Sequence, residues 1–468
     1  MLLLPHLGIG LDDMFQYDMI ARSLASGNGF RWYAPADVAR LAPYLNLDVD
    51  SLGLDPRGMP TTFRAPLYPG MVALVYMIFG AGAQRFLAVR ILQAFLGASL
   101  APMTYIAGRR ILVGDGWQGD GSTRAARIAA VAVAAYPSLI MYPLGLATEN
   151  LFFPLLLAGF LALLSLPRGN NSGAITSPGD GKVAIAILAG VLLGLAALTR
   201  SVILPFAFAA IVWIWMSCRR PKEAAIAVLA AALTITPWII RNSELSGRFT
   251  GIETSMGYNL YLGYHPDSTG TFMFGPSLDL MSILEDRTRD AVGTQRAIEF
   301  VRQEPGRFGY LALRRLGHFF DLEWRAFTYF YSNGLLGLLT PAVIAVTLIL
   351  LALPFVLIAS LAAFGAAMLP KGATTGLLAL LLVMYLLPHV FILSEERFHL
   401  ALVPVFSILA AAAWERRRGW TSTSVRRLWL SAVVVVLLVV NWSFQIGSTW
   451  PTMIALLGPG GNQLHLPY

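Results

Sequence analysis

The sequence has little charge and almost no cysteine. Only 13% of its 468 residues are Asp, Glu, Lys or Arg, and 56% are hydrophobic, whereas soluble domains carry roughly a quarter charged residues. That balance excludes a soluble globular protein and points to an integral membrane protein. Cys218 stands alone, so no intramolecular disulfide and no cysteine-based metal cluster can form. The chain has no G-x-x-x-x-G-K-[ST] run, which argues against an ATP-driven pump. It also has no visible internal repeat, which a secondary transporter would commonly carry. The net charge of +8 sits in short basic runs between apolar segments, the pattern of membrane orientation and not of a nucleic-acid surface.

What is present is a series of apolar runs, at 86–107, 126–145, 148–166, 183–199, 202–217, 224–240, 337–363, 374–393, 400–414 and 429–447. Lipid cannot hydrogen-bond an exposed backbone, so these runs predict an α-helical bundle. Basic residues cluster at Arg109, Arg110, Arg124 and Arg127, at Arg168 and Lys182, at Arg219, Arg220 and Lys222, at Lys371, and at Arg416, Arg417, Arg418, Arg426 and Arg427. The positive-inside rule puts that side in the cytoplasm. The opposite connections, and with them the polar stretch 241–333, are expected outside. The resulting division is an external loop with juxtamembrane helices (1–85), membrane helices (86–240), an external subdomain (241–333), membrane helices (334–447) and an external tail (448–468). Within the first part, "PLYPGMVALVYMIFG" (66–80) is too short for a span and suits a re-entrant or surface helix. "MLLLPHLGIG" is neither a span nor a whole signal peptide. An outside location for Asp12 therefore implies a membrane helix before Met1.

The stretch "LDDMFQYDMIARSLASGNGF" (11–30) places Met14, Tyr17, Ala21 and Leu24 on one stripe of a helix, which Gly27 and Gly29 end. Asp13 reads in two ways. It caps this helix, with Gln16 completing a capping-box-like pair, or it is a functional acid at the mouth of a bundle, with Asp12 beside it.

In order along the chain, "DDMFQYDMIARSLASGNGF", "TFRAPLYPGMVALVYMIFG", "LATEN", "GLAALTR", "PWIIRNSELSGRFTGIETSMGYNLYLGYHP" and "EERFHLALVPVFSILAAAAW" resemble the GT-C membrane glycosyltransferases. The resemblance is to the branch of the protein O-mannosyltransferases and lipid A aminoarabinose transferases. Asp13, Tyr17, Ile20 and Arg22 match its acidic first-loop motif; Arg64, Pro66, Leu67, Tyr68 and Pro69 match its Pro-rich element. The resemblance implies an all-α polytopic membrane fold of GT-C type with external juxtamembrane helices and a small external domain. It also implies transfer of a sugar from a polyprenyl-phosphate donor to an extracytoplasmic lipid, glycan or protein acceptor, by a single inverting displacement at a bacterial or archaeal plasma membrane. No nucleic acid is expected as a partner. In the aminoarabinose transferases an acid that helps hold a metal precedes the basic residue of the Pro-rich element. Phe63 stands there in this sequence, so no cofactor is assigned and a divalent metal stays open.

That chemistry needs a base near the acceptor hydroxyl and cations around the phosphate. Asp13 is the expected base, with Asp12 as its substitute. Glu149 either orients the acceptor or sugar, or simply favours a helix N-terminus capped by Thr148. Arg64, Arg200, Arg241 and Arg397 fall at external membrane boundaries and suit a phosphate, although each alone could reach lipid headgroups. Tyr68, inside the matched element, and His389, near the external end of its helix, complete the expected donor-phosphate set; an interior packing role competes for His389.

Other features read as structural. Asp48-Val49-Asp50 lies in a loop without strand context. "GDGWQGDGST" (114–123) lacks the bidentate Glu of an ion-binding loop, and His265 has no partner at metal spacing. Residues 285–324 read as two helices broken at Pro305, the second amphipathic. The competing functional classes are a secondary transporter and a non-enzymatic lipid-binding membrane protein.

Overall fold

The computed structural model describes residues 8–10, 12–45, 53–114, 120–167, 180–417 and 423–465. Asp48, Asp50, Arg168, Arg418, residues 1–7 of the N-terminal stretch and 115–119 of the Asp/Gly-rich loop lie outside the described residues.

Every apolar run is helical. Among the described residues six helices are long and apolar enough to cross a membrane: Arg85–Leu112, Pro221–Ser246, Pro341–Met368, Ala373–Phe391, Glu396–Glu415 and Val425–Leu457. The 126–145 run bends by 48° between Asp120–Ala134 and Pro137–Leu144, where Pro137 cannot supply the amide that would continue the helix. The runs at 148–166, 183–199 and 202–217, together with Leu67–Phe79, form shorter apolar helices.

The bundle closes around Val403–Glu415, whose residues from Val403 to Ala413 are all buried. It packs against Pro341–Met368 and Asp120–Ala134. Helices in lipid gain little from hydrophobic burial and associate through close packing of small residues. The alanine-rich "SILAAAAW" meets Gly365, where any side chain would strike the carbonyl of Leu409. Gly190 and Gly194 play the same part, since a Cβ at Gly190 would collide with the carbonyl of Ala227 on Pro221–Ser246.

The polar segments gather at one end. Helix Asp13–Ala25 does not rest on a single apolar stripe as its spacing suggested. Met14, Tyr17 and Ala21 pack with Tyr68, Val72 and Tyr76, while Phe15, Met19 and Ile20 pack with Trp32, Tyr33 and Phe63. Two short strands, Arg31–Trp32 and Met59–Pro60, pair antiparallel beside it, Trp32 opposite Met59. Inside this junction Asp18 accepts from Tyr76 Oη (2.7 Å), Arg85 Nε (2.9 Å) and Arg22 Nε (2.9 Å). Burial opposes its charge, yet the guanidiniums of Arg85 and Arg22 and the Tyr76 hydroxyl hold Asp18 below the usual carboxylate range.

Between residues 241 and 333 run five helices, Met256–Tyr264, Phe274–Met281, Asp286–Gln303, Pro305–Phe319 and Arg325–Ser332. The break falls at Pro305, with Pro at the first position of the new helix.

Candidate functional site

The first carboxylate pair resolves by one residue. Asp12, not Asp13, is the N-cap of Asp13–Ala25, its Oδ1 accepting from Met14 N at 2.8 Å. The capping-box reading with Gln16 fails for the same reason, because Gln16 Oε1 accepts from Arg64 Nε at 2.8 Å. Asp13 is thereby released from a backbone role. It contacts Arg64 Nη2, and its Oδ2 lies 3.8 Å from Arg397 Nη2.

Glu149 opens the helix Glu149–Leu163 and is almost fully buried. Its Oε1 accepts from Arg200 Nη1 at 2.7 Å and lies 3.7 Å from Arg397 Nε. Thr148, expected as a cap, makes no capping bond. Its hydroxyl donates to Glu149 Oε2 at 3.0 Å, so it orients the carboxylate instead. Arg397 Nε also lies 2.7 Å from Glu395 Oε2. Two aromatic supports complete the arrangement. The guanidiniums of Arg200 and Arg397 lie 4.9 and 5.4 Å from the ring of Phe398, and that of Arg64 lies 5.3 Å from Tyr17 and 5.0 Å from Phe63. Cation–π contacts and carboxylates together hold the three cations in place.

Each element is tied down behind the site. The loop before Glu149 is anchored by Gln93 Nε2, which donates to the carbonyls of Pro143 and Gly145, both at 3.0 Å. Arg90 Nε donates to Leu144 O at 2.7 Å. The segment of Arg397 and Phe398 is held by Tyr385 Oη, donating to Phe398 O at 3.1 Å. Fully buried His399 fastens its other end, with Nε2 2.6 Å from Glu323 Oε1 and Nδ1 2.6 Å from Phe319 O.

These groups line one cavity of about 1390 Å³, otherwise faced largely by apolar and aromatic side chains. Asp12, Asp13, Glu149, Arg64, Arg200, Arg397 and His389 all border it. His389 is buried and stacked on Phe398, ring centroids 4.4 Å apart, and its Nε2 has no hydrogen-bond partner among the described residues. Burial, then the neighbouring charge of Asp13, pushes the Asp12 carboxyl up to about 6.

The structure places Tyr68 and Arg241 elsewhere. Tyr68 is fully buried, donates to Gln93 Oε1 at 2.6 Å and does not border the cavity. Arg241 donates to Thr61 O (2.6 Å) and Phe30 O (3.2 Å), with its guanidinium over Trp238. It staples the Thr61 loop to the bundle. Sequence reasoning missed Glu253, Tyr258 and Glu395, all of which border the cavity. Glu395 had a signal, since it stands two residues before Arg397 in a connection between two apolar runs. Glu253 lies in a polar segment with no period to mark it. Among the described residues no three His, Cys, Asp or Glu side chains converge closely enough to hold a metal ion, and Phe63, at the position of the family's acid, is fully buried.

No family model matches this sequence, and no curated protein is similar to it in sequence. Solved structures are similar to it in fold. ArnT from Cupriavidus metallidurans, bound to undecaprenyl phosphate, is 14% identical with a TM-score of 0.38, over 89% of this chain and 76% of that one. The archaeal oligosaccharyltransferase AglB from Archaeoglobus fulgidus, in complex with an inhibitory peptide and a dolichol-phosphate, is 13% identical with a TM-score of 0.45. That match covers 93% of this chain and 51% of AglB, so the chain spans about half of AglB's length.

Proposed function

We propose that this protein transfers a sugar from a polyprenyl-phosphate donor to a hydroxyl of an acceptor outside the cytoplasm, with inversion at the anomeric carbon. One observation carries the reading. Arg64, Arg200 and Arg397, brought from three distant segments, interleave with Asp13 and Glu149 at the border of a large and mostly apolar cavity. Guanidiniums match a phosphate, and the apolar walls suit the lipid that carries it.

In this reading the donor phosphate draws Arg64 and Arg397 onto its oxygens, which unmasks Asp13. The acceptor oxygen attacks the anomeric carbon as its proton passes to Asp13. The bond from that carbon to the phosphate oxygen breaks, and the phosphate leaves with the electron pair, stabilised by the arginines. Glu149 keeps Arg200 and Arg397 aligned. No step calls on a metal.

Asp13, Glu149 and Arg397 lie in the first turns of their helices, and Arg64 and Arg200 in the connections just before theirs, which favours surface chemistry over the midplane site of a transporter. The test is reconstitution of the purified protein in proteoliposomes with radiolabelled sugar esters of undecaprenyl phosphate. Label is expected to appear in a new lipid, glycan or protein product. Movement of label across the bilayer without a new covalent product would favour the transporter instead.

A further inference from the structure

Glu253 differs from the other acids of the cavity apart from Asp12, which is occupied in capping a helix. Asp13, Glu149 and Glu395 each lie within 4.0 Å of a guanidinium, whereas no cation among the described residues lies that close to Glu253. Its partner is neutral: Ser201 Oγ donates to Glu253 Oε1 at 2.5 Å. Ser201 directly follows Arg200, so Glu253 is held one residue from a cation of the proposed phosphate site.

The backbone around Glu253 is pinned on both sides. Asn242 Nδ2 donates to Gly251 O (3.0 Å) and Ile252 O (2.9 Å), and Trp238 Nε1 donates to Ile252 O at 2.9 Å. On the other side Thr254 N donates to Thr62 O at 2.9 Å, and the two threonine hydroxyls bond at 3.0 Å. Ile252 and Thr254 are buried, and the half-buried Glu253 between them faces the cavity. A carboxylate held this firmly toward a cavity is prepared for a ligand. Charge balance indicates what kind. Asp12, Asp13, Glu149, Glu253 and Glu395 border the cavity with Arg64, Arg200 and Arg397, and Arg325 lies 4.0 Å from Glu395; the acids still outnumber the arginines by one, so a phosphate ester fits better if it brings hydrogen-bond donors for the surplus acid.

The geometry points to Glu253 as the residue that accepts hydrogen bonds from the hydroxyls of the donor's sugar ring, and so as a determinant of sugar specificity. This rests on the polyprenyl-phosphate-sugar reading above. A ring esterified to a phosphate at Arg200 lies within reach of a carboxylate tethered to Ser201. Ser201 occupies one oxygen and leaves the other for the ring.

The test compares two ligands on the purified full chain in detergent. One is undecaprenyl phosphate. The other is whichever of its mannosyl, glucosyl and arabinosyl esters the wild type binds best. Glu253→Gln keeps the bond from Ser201 but presents an amide where the ring hydroxyls donate. It is expected to weaken the sugar ester about 10- to 100-fold, the worth of one charge-assisted hydrogen bond, and to leave the bare lipid phosphate unchanged. A purely structural role would weaken both ligands alike. Equal weakening, or none, overturns the inference while leaving the transferase reading in place. Wild-type protein that binds neither lipid overturns both. Ser201→Ala, which removes the tether of the carboxylate, gives an independent readout and should shift the same ratio in the same direction.

Discussion

Asp13→Asn separates catalysis from folding more cleanly than any other change. The helix N-terminus is capped by Asp12, so the substitution leaves that bond intact. Asp13 is 39% exposed on its side chain and its partner Arg64 15%. Their ion pair is therefore partly screened, and losing its charge should cost the fold about 1 kcal/mol or less. Activity should respond far more strongly. Removing a general base lowers the rate by about two to four orders of magnitude, equivalent to roughly 2.7 to 5.5 kcal/mol of barrier. Binding should move the other way or not at all, because Arg64 no longer has to leave a carboxylate in order to meet the phosphate. The assays are transfer of radiolabelled sugar in proteoliposomes, equilibrium binding of undecaprenyl phosphate, and the thermal midpoint in detergent. Arg64→Ala is the counterpart and should weaken phosphate binding about 10-fold or more. An Asp13→Asn protein with near wild-type turnover would refute the assignment, and Asp12→Asn would then test the neighbouring acid as the base.

Three further outcomes are expected. Because burial and Asp13 raise the Asp12 carboxyl to about 6, the folded state holds a proton there that the unfolded chain, at about 3.9, has lost. The contribution of Asp12 to stability is thus fully present below about pH 4 and lost as pH rises through about 6, a swing of roughly 2 to 3 kcal/mol. Asp12→Asn, which still caps, should remove that part of the pH dependence, and identical melting profiles for the two proteins from pH 4 to 7 would contradict it. Gly190→Ala should lower the thermal midpoint by pushing Asp180–Ala197 off Pro221–Ser246, at about 1 to 3 kcal/mol; an unchanged midpoint would mean that the helices slide apart freely. For orientation, Ser268 is buried, so Asp267, 76% exposed on its side chain, is the better probe of the 241–333 segment. In a Cys218→Ser background, Asp267→Cys should react with a membrane-impermeant maleimide in intact cells and Arg417→Cys should not. The reverse pattern would place the cavity on the cytoplasmic side.

Much of the fold was legible because it is set by local composition. A run of apolar residues in lipid has to satisfy its own backbone, so each of the ten runs had to become helix. Pro305 marked a break for an equally local reason, the missing amide, whereas the bend before Pro137 lies inside a run that the apolar pattern left continuous. The acids and arginines at helix ends could be read too, since a charge in a membrane protein gathers where the bundle meets water.

Only the tertiary structure decided which of those charges meet. Arg200 and Arg241 look alike in sequence, each ending an apolar run. Arg200 turns toward Glu149 and the cavity, whereas Arg241 is consumed by the carbonyls of Thr61 and Phe30. Asp12 and Asp13 differ by one position, and the point at which the helix begins assigned the cap to one and the ion pairs to the other. Glu253 carried no periodic signal, because its orientation depends on Asn242, Trp238 and Thr62, which pin the backbone on either side of it. The sequence by itself determined a helical membrane bundle with its charges at the helix ends. Pairing among residues 13, 64, 149, 200 and 397, and of 253 with 201, belongs to the packing, because such contacts depend on how distant helices stack and no local spacing encodes that.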